Sequence, residues 1–291
     1  MNGIIIVNKS KNCTSNNVVN KVKHLLNCKV GHTGTLDPNA TGVLPLLLGE
    51  GTKFSKYLIN HDKKYRATLK LGIKMSTADV EGDVIEEKAV DDAIFKSEFL
   101  QKVLKTFEGK QIQTPPVYSA IKINGKKLYE YARKNIEVEV PKREIIIYSI
   151  NLVEFRQAEN TIVFDVECSK GTYIRSLCED IAEKLNTVGY MLDLDRQQVG
   201  DFSIEQSVTV DEIELNRDNN EWLKNHVISL EQVLSESDFV VIPEKNVTKL
   251  YNGVKIDVDK PDGVYRLYVE DKFIGSGVCE NGKLKRDIIL G

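Results

Sequence analysis

Residues 31–45 read Gly-His-Thr-Gly-Thr-Leu-Asp-Pro-Asn-Ala-Thr-Gly-Val-Leu-Pro, a composition that predicts a shaped loop over 31–42. Its three glycines permit positive φ angles or close backbone approach, and Pro38 biases Asp37 toward an extended conformation. The loop therefore presents a single carboxylate on a constrained backbone. It has neither G-x-x-x-x-G-K-[ST] nor a helix-opening glycine triplet, which argues against a phosphate-cradling nucleotide loop. An Asp-Pro among Gly, Thr and Asn is also what an ordinary turn looks like.

The loop sits in the most basic part of the chain. The 291 residues carry a formal net charge of −3, yet residues 1–74 hold twelve Lys and Arg against Asp37, Glu50 and Asp62. Residues 102–135 add eight basic residues against Glu108 and Glu130. Two basic blocks on a near-neutral chain suit a face that binds phosphates, although a solvated lysine-rich surface has the same composition. The opening apolar run, residues 4–7, is too short for a signal-peptide core or a membrane span, so the expectation is a cytoplasmic protein without membrane contact. Five cysteines and four histidines are scattered without ligand spacing, which predicts reduced thiols and no metal site.

Periodicity predicts a buried strand at 4–7 and then a helix capped by Ser15, with Val18, Val19, Val22, Leu25 and Leu26 inward. Tyr65, Ala67, Leu69 and Leu71 alternate with Arg66, Thr68 and Lys70, the pattern of a half-buried strand. Asp91 is expected to cap one helix carrying Ile94, Phe95, Phe99, Val103, Leu104 and Phe107, ended by Gly109. Strand-like runs follow at 144–155 and 161–168, then a helix after Gly171 with Ile174, Leu177, Ile181 and Leu185 buried. The pattern dissolves over 111–133 and 201–236. Short apolar runs at 239–242, 264–269 and 273–278, with frequent glycines, predict a small β module after a boundary near 230. The residues alone thus support an α+β chain with a small β tail.

Taken with four further segments, the run at 31–45 resembles the nucleophile motif of the TruB family, the tRNA pseudouridine(55) synthases. The other segments match in the family's order: Lys64-Tyr65-Arg66, the stretch PPVYSAIK at 115–122, GKKLYEYAR at 125–133, and CSKGTYIR at 168–175. The likeness is continuous over about residues 3–200 and looser in the tail. It implies an α+β pseudouridine-synthase fold, a mixed, mainly antiparallel sheet flanked by helices. The implied domains are a catalytic domain over 1–230, with an RNA-binding insertion at about 111–135, and a PUA-like β domain over 231–291. The implied reaction breaks the C1′–N1 bond of a uridine in the T-arm of tRNA, turns the base and joins C5 to C1′. A carboxylate suffices for this, attacking C1′ or C6 or taking a proton from the sugar, so no cofactor is expected.

By the same resemblance Asp37 is the nucleophile and Arg175 the cation that keeps it charged, a residue that otherwise reads as an exposed helix arginine. Tyr65 would pack on the base, where local pattern alone reads a core tyrosine. His32 would fill the space the extruded base leaves. Tyr173 and Leu194 would line the pocket, Leu194 reading equally as core. Lys9, Lys63, Lys64, Lys122, Lys126, Lys127 and Arg133 are candidate contacts to the RNA backbone, each also an ordinary solvated cation. Residues 191–196 depart from the family, which often has two adjacent basic residues there; only Arg196 remains. The expected partner is the tRNA T-arm stem-loop, bound by a monomer with no obligatory protein partner. The rivals are a guide-RNA-dependent synthase for ribosomal RNA and a non-catalytic RNA-binding protein or tRNA-folding chaperone. A hydrolytic glycosidase usually needs a second carboxylate, and the sequence around Asp37 offers none.

Overall fold

In the computed structural model, residues 1–119, 121–132, 134, 136 and 138–291 are described. Isoleucines and a valine leave the first strand, β1 (Gly3–Lys9), without a polar face, and both of its faces are buried. Ile5 and Val7 join the main core with Val18, Val22 and Phe164, while Ile4 and Ile6 join a second core with Val43, Leu47 and Leu58. The first helix, α1 (Ser15–Leu26), is capped by Thr14 rather than Ser15. Asn17 N–H donates to Thr14 Oγ1 at 3.0 Å and Thr14 N–H donates to Asn17 Oδ1 at 3.2 Å, a capping box one residue earlier than expected. Ser15 is released for another task, described below.

The chain continues through β2 (Val30–His32), β3 (Thr41–Leu48) and β4 (Lys63–Leu71), in which Tyr65, Ala67, Leu69 and Leu71 are buried as their alternation requires. The helix expected after Asp91 is split. Asp91 caps only a short 3-10 turn, Asp92–Ile94, and α2 (Ser97–Lys105) starts afresh with Leu100 and Leu104 buried. The stretch without clear pattern after residue 109 opens as an edge strand, β5 (Gly109–Gln113). It continues into a hairpin pairing Lys122 with Lys127 across Asn124-Gly125, both at positive φ, the geometry of a two-residue turn that Asn-Gly favours. Then come β6 (Arg143–Arg156), β7 (Thr161–Cys168), α3 (Ile174–Lys184) and β8 (Gly189–Val199).

These strands form a ten-stranded sheet in the order Val227–Ile228, β1, β3, β8, β4, β7, β6, β5, with β2 added on β3 and Phe202–Ser203 on β8. All its pairings are antiparallel except β3 with β8, where Asp195 faces Thr41 and Arg196 faces Gly42. This mixed, mainly antiparallel α+β arrangement is the expected fold class. The parallel step needs a glycine. Gly42 has φ +102°, and a Cβ there would meet the Arg196 carbonyl oxygen at 2.3 Å. Gly42→Ala is expected to lower unfolding free energy by about 2–4 kcal/mol, read as a fall in the urea midpoint.

Residues 201–236, which gave few cues, hold two capped helices, Val210–Asn216 behind Thr209 and Asn220–His226 behind Asn219. Beyond them a five-stranded sheet runs in the order Phe239–Val241, Gly263–Val269, Lys272–Glu280, Lys283–Ile289, Ile256–Asp257. It has its own core of Ile242, Leu250, Tyr265, Leu267 and Leu284. Phe54, Leu230, Leu234 and Ile288 join it to the larger sheet, and Tyr57 donates to Ser276 Oγ at 3.1 Å across the junction. No helix among the described residues is long and apolar enough to cross a membrane.

Candidate active site

The predicted loop is shorter than its composition suggests, because β2 takes up residues 31–32 and β3 begins at Thr41, leaving 33–40 to turn. Three buried side chains fix that turn. Ser15 Oγ donates to the Leu36 carbonyl at 3.1 Å and accepts from Leu36 N–H at 2.9 Å. Lys9 Nζ donates to the carbonyls of Ser10, Cys13 and Pro38 at 2.8–3.0 Å. Arg196 donates from Nε to Val43 O at 2.7 Å and from Nη2 to Gly34 O at 3.1 Å.

One expectation falls here. Lys9, read as a phosphate contact, is fully buried at the end of β1, where its ammonium replaces water for three carbonyls. Burial, chiefly, holds it below the ordinary lysine pKa. Arg196, the basic residue that remains where the family often has two, is 1% exposed and braces the loop from beneath. Lys9→Met is expected to cost about 1–3 kcal/mol of stability through the orphaned carbonyls while leaving the salt dependence of RNA binding unchanged. A slope of log affinity against log salt shallower by about one, with stability intact, would restore the phosphate role.

The loop delivers Asp37 to Arg175, in the first turn of α3. Arg175 Nε lies 3.1 Å from Asp37 Oδ2 and Nη2 donates to Oδ1 at 3.3 Å, a two-pronged pair. The guanidinium is buried rather than displayed on an exposed helix face, and its remaining hydrogens are taken up by Asp79 Oδ2 at 3.2 Å and the carbonyls of Thr77 and Tyr118. Asp79 is a second carboxylate near the first, which the sequence around Asp37 did not reveal. It is committed to Arg175 and only 10% exposed, whereas 34% of the Asp37 side chain is open. Burial raises the Asp37 carboxyl above its ordinary range; the Arg175 charge pulls it back and Asp79 pushes it up.

Around Asp37 lies a cavity of about 710 Å³, and every residue implied by the resemblance for nucleophile and pocket lines it: His32, Asp37, Tyr65, Tyr173, Arg175 and Leu194. Tyr65 is buried on β4 with its phenol pushed up to about 12, chiefly by burial, so it is protonated at neutral pH. His32 ends β2; burial, then the charge of Arg196, hold its imidazole below the usual value and hence neutral. Tyr173 is fixed by Gln113, whose side chain accepts from Tyr173 N–H at 2.8 Å and donates to its carbonyl at 3.0 Å. Leu194 and Arg196 share the inward side of β8.

The other cations are dispersed. Lys63 lines the cavity and donates to the His61 carbonyl; Lys64 is half exposed and 3.6 Å from Glu167. Lys122 and Lys126 are exposed on the hairpin, and Lys127 lies over the Tyr129 ring at 5.4 Å. Arg133 lies outside the described residues. Lys170, given no role from sequence, also lines the cavity.

The model of the TruB family pseudouridylate synthase N-terminal domain matches residues 21–174, and that of the tRNA pseudouridylate synthase B C-terminal domain matches 175–235. Proteins named tRNA pseudouridine synthase B are similar over nearly the whole chain. The one from Clostridium kluyveri is 41% identical, covering 98% of each chain, and that from Clostridium tetani 45%, covering 95% of each. Among solved structures, a Cbf5-Nop10-Gar1 complex gives a TM-score of 0.69 at 26% identity, over 98% of this chain and 83% of that one. The chain belongs to the TruB family of pseudouridylate synthases.

Proposed function

We propose that the chain converts one uridine of tRNA, at position 55 in the T-arm, to pseudouridine, with Asp37 as the reacting carboxylate. The observation that carries this reading is the Asp37 side chain, gripped by both prongs of Arg175 yet open to an aromatic-walled cavity. A stacked base is out of reach of such a cavity, so the uridine enters flipped out of its loop, with His32 at the rim taking the vacated space. Tyr65 and Leu194 flank the base. Asp37, ionised, attacks C1′ or C6 or removes a sugar proton; the C1′–N1 electrons leave with the uracil, which turns and bonds C1′ through C5. The proton lost from C5 is balanced by the one gained at N1, so the product is an isomer and no external group enters. With burial keeping its phenol protonated, Tyr65 serves as packing surface for the base.

The substrate assignment rests on the names carried by the relatives at 41–45% identity. The Cbf5 structure, at 26% identity, is of a protein in complex with Nop10 and Gar1, and keeps the guide-dependent reading as the rival. We take residues 1–230 as the catalytic domain and 231–291 as the β domain of a cytoplasmic enzyme acting as a monomer. Lys63, Lys64, Lys122, Lys126, Lys127 and Arg133 stay as candidates for the RNA backbone. The test is the purified chain alone on a T-arm hairpin, with pseudouridine mapped by position. Conversion at the single expected uridine is the anticipated result; conversion only after a guide RNA or partner protein is added would favour the rival.

A further inference from the structure

Four cations line the cavity that holds Asp37: Lys63, Lys170, Arg175 and Arg196. Two are already engaged, Arg175 by Asp37 and Asp79, and Arg196 by the carbonyls of Val43 and Gly34. The two lysines have no such partners. Lys63 Nζ donates to the His61 carbonyl and Lys170 Nζ to Asn60 Oδ1 at 2.7 Å, both neutral acceptors, and neither lysine forms an ion pair among the described residues. An ammonium carries three N–H donors, so each has donors to spare. Strand register puts the two side by side. Cys168, the last residue of β7, pairs with Lys63, the first of β4, so Lys170 leaves the sheet two residues beyond the partner of Lys63. Ser169 fixes that exit: its N–H donates to the Ile146 carbonyl at 2.8 Å and its Oγ accepts from Ile146 N–H at 2.9 Å. Burial, then the charges of Arg196 and Lys170, hold the Lys63 ammonium below the ordinary lysine pKa, with Cys168 and Asp62 pulling the other way.

The carboxylates of the cavity gather elsewhere. Asp37, Asp79 and Glu81 share a side pocket with Asn39, which donates to Glu81 Oε1 at 3.1 Å, and neither lysine lines it. The wall is thus acidic around the reacting carboxylate and basic where β4 begins. Lys63 and Tyr65 face the same side of β4, about 7 Å apart along the strand, a span comparable with that from a base to the phosphates of its own nucleotide. We propose that Lys63 and Lys170 together seat one of the two phosphodiesters that flank the target uridine. This rests on the reading of the cavity as the seat of the flipped nucleotide. A phosphate there ends the repulsion between two neighbouring ammoniums and takes up their spare donors in charge-assisted hydrogen bonds. With the base against Tyr65 and the phosphate against the lysines, the nucleotide is held at two points and its sugar is set against Asp37.

The test is the affinity of the full chain for T-arm hairpins in which one phosphodiester at a time is replaced by an uncharged methylphosphonate. Each is compared with a parent hairpin carrying the same 2′-deoxy nucleotide on the 5′ side of that linkage. Lys63→Gln and Lys170→Gln are each expected to weaken binding of the parents by about 3- to 20-fold. On the hairpin neutralised at one linkage next to the target, the same substitutions should cost less than about twofold, as coupled partners require. At every other linkage the full loss should return. Lys170 is exposed, so its replacement leaves the fold intact, and lost stability in Lys63→Gln would not single out one linkage. Full losses on every hairpin, coupling to a linkage away from the target, or wild-type affinity in either variant would overturn the proposal while leaving the pseudouridine reading intact. A wild-type chain that forms no pseudouridine in the unmodified hairpin would overturn both.

Discussion

Asp37→Asn is expected to reduce pseudouridine formation by a factor of about 10⁴ or more while leaving the fold intact and RNA affinity within a few-fold. The amide keeps the shape of the carboxylate but can neither attack carbon nor take a proton at neutral pH. The fold should tolerate it because Arg175 retains Asp79 and the carbonyls of Thr77 and Tyr118, so its buried charge is not abandoned. Asn also escapes the desolvation that raises the Asp37 carboxyl pKa. Circular dichroism and the urea midpoint establish the fold, hairpin titration the binding, and single-turnover assays the chemistry.

Arg175→Met is expected to damage both activity and stability. It leaves Asp37 and Asp79 in one low-dielectric corner with no cation between them, and removing one member of a buried ion pair costs about 3–5 kcal/mol. The effect on activity has a direction in pH. The Asp37 carboxyl is already raised by burial, Asp79 raises it further, and Arg175 is the foremost group opposing them. Without Arg175 the folded-state pKa rises, so the reactive carboxylate is lost at a higher pH than in the wild type. The acid limb of kcat/KM against pH should therefore move to higher pH, with a further drop of about 10²–10³ on the plateau from lost orientation. Arg175→Lys keeps a charge without the fork and should fall between the two. An unmoved acid limb in Arg175→Met would show that the guanidinium does not govern the ionisation of Asp37.

Much of the framework was legible because it rests on periodicity. The alternation along β4 and the helical spacing in α3 set Tyr65 and Arg175 in their elements, and the glycines and Pro38 marked the loop that carries Asp37. The supports of that loop were not legible. A lysine at a strand end reads as solvated unless its neighbours' carbonyls turn toward it, and Lys9 is buried by three of them. Asp79 lies 42 residues from Asp37 in sequence and joins it only through Arg175, a third segment. Arg196 did leave a signal: it stands two residues after Leu194, so in a strand the two share a face and both point inward. Asn124-Gly125 was another, the usual mark of a tight hairpin inside a stretch without clear pattern. Ser15 was assigned the cap that Thr14 makes, since both hydroxyls stand at the helix start and only the loop's position decides which one is free to hold Leu36.

The most direct test of the account is the nucleoside content of a T-arm hairpin after prolonged incubation with excess wild-type chain or Asp37→Asn, resolved by chromatography and mass spectrometry. The expected result is one pseudouridine per hairpin, with no change in mass, for the wild type and none for Asp37→Asn. Equal pseudouridine content from the two proteins would contradict the role of Asp37 as the reacting carboxylate.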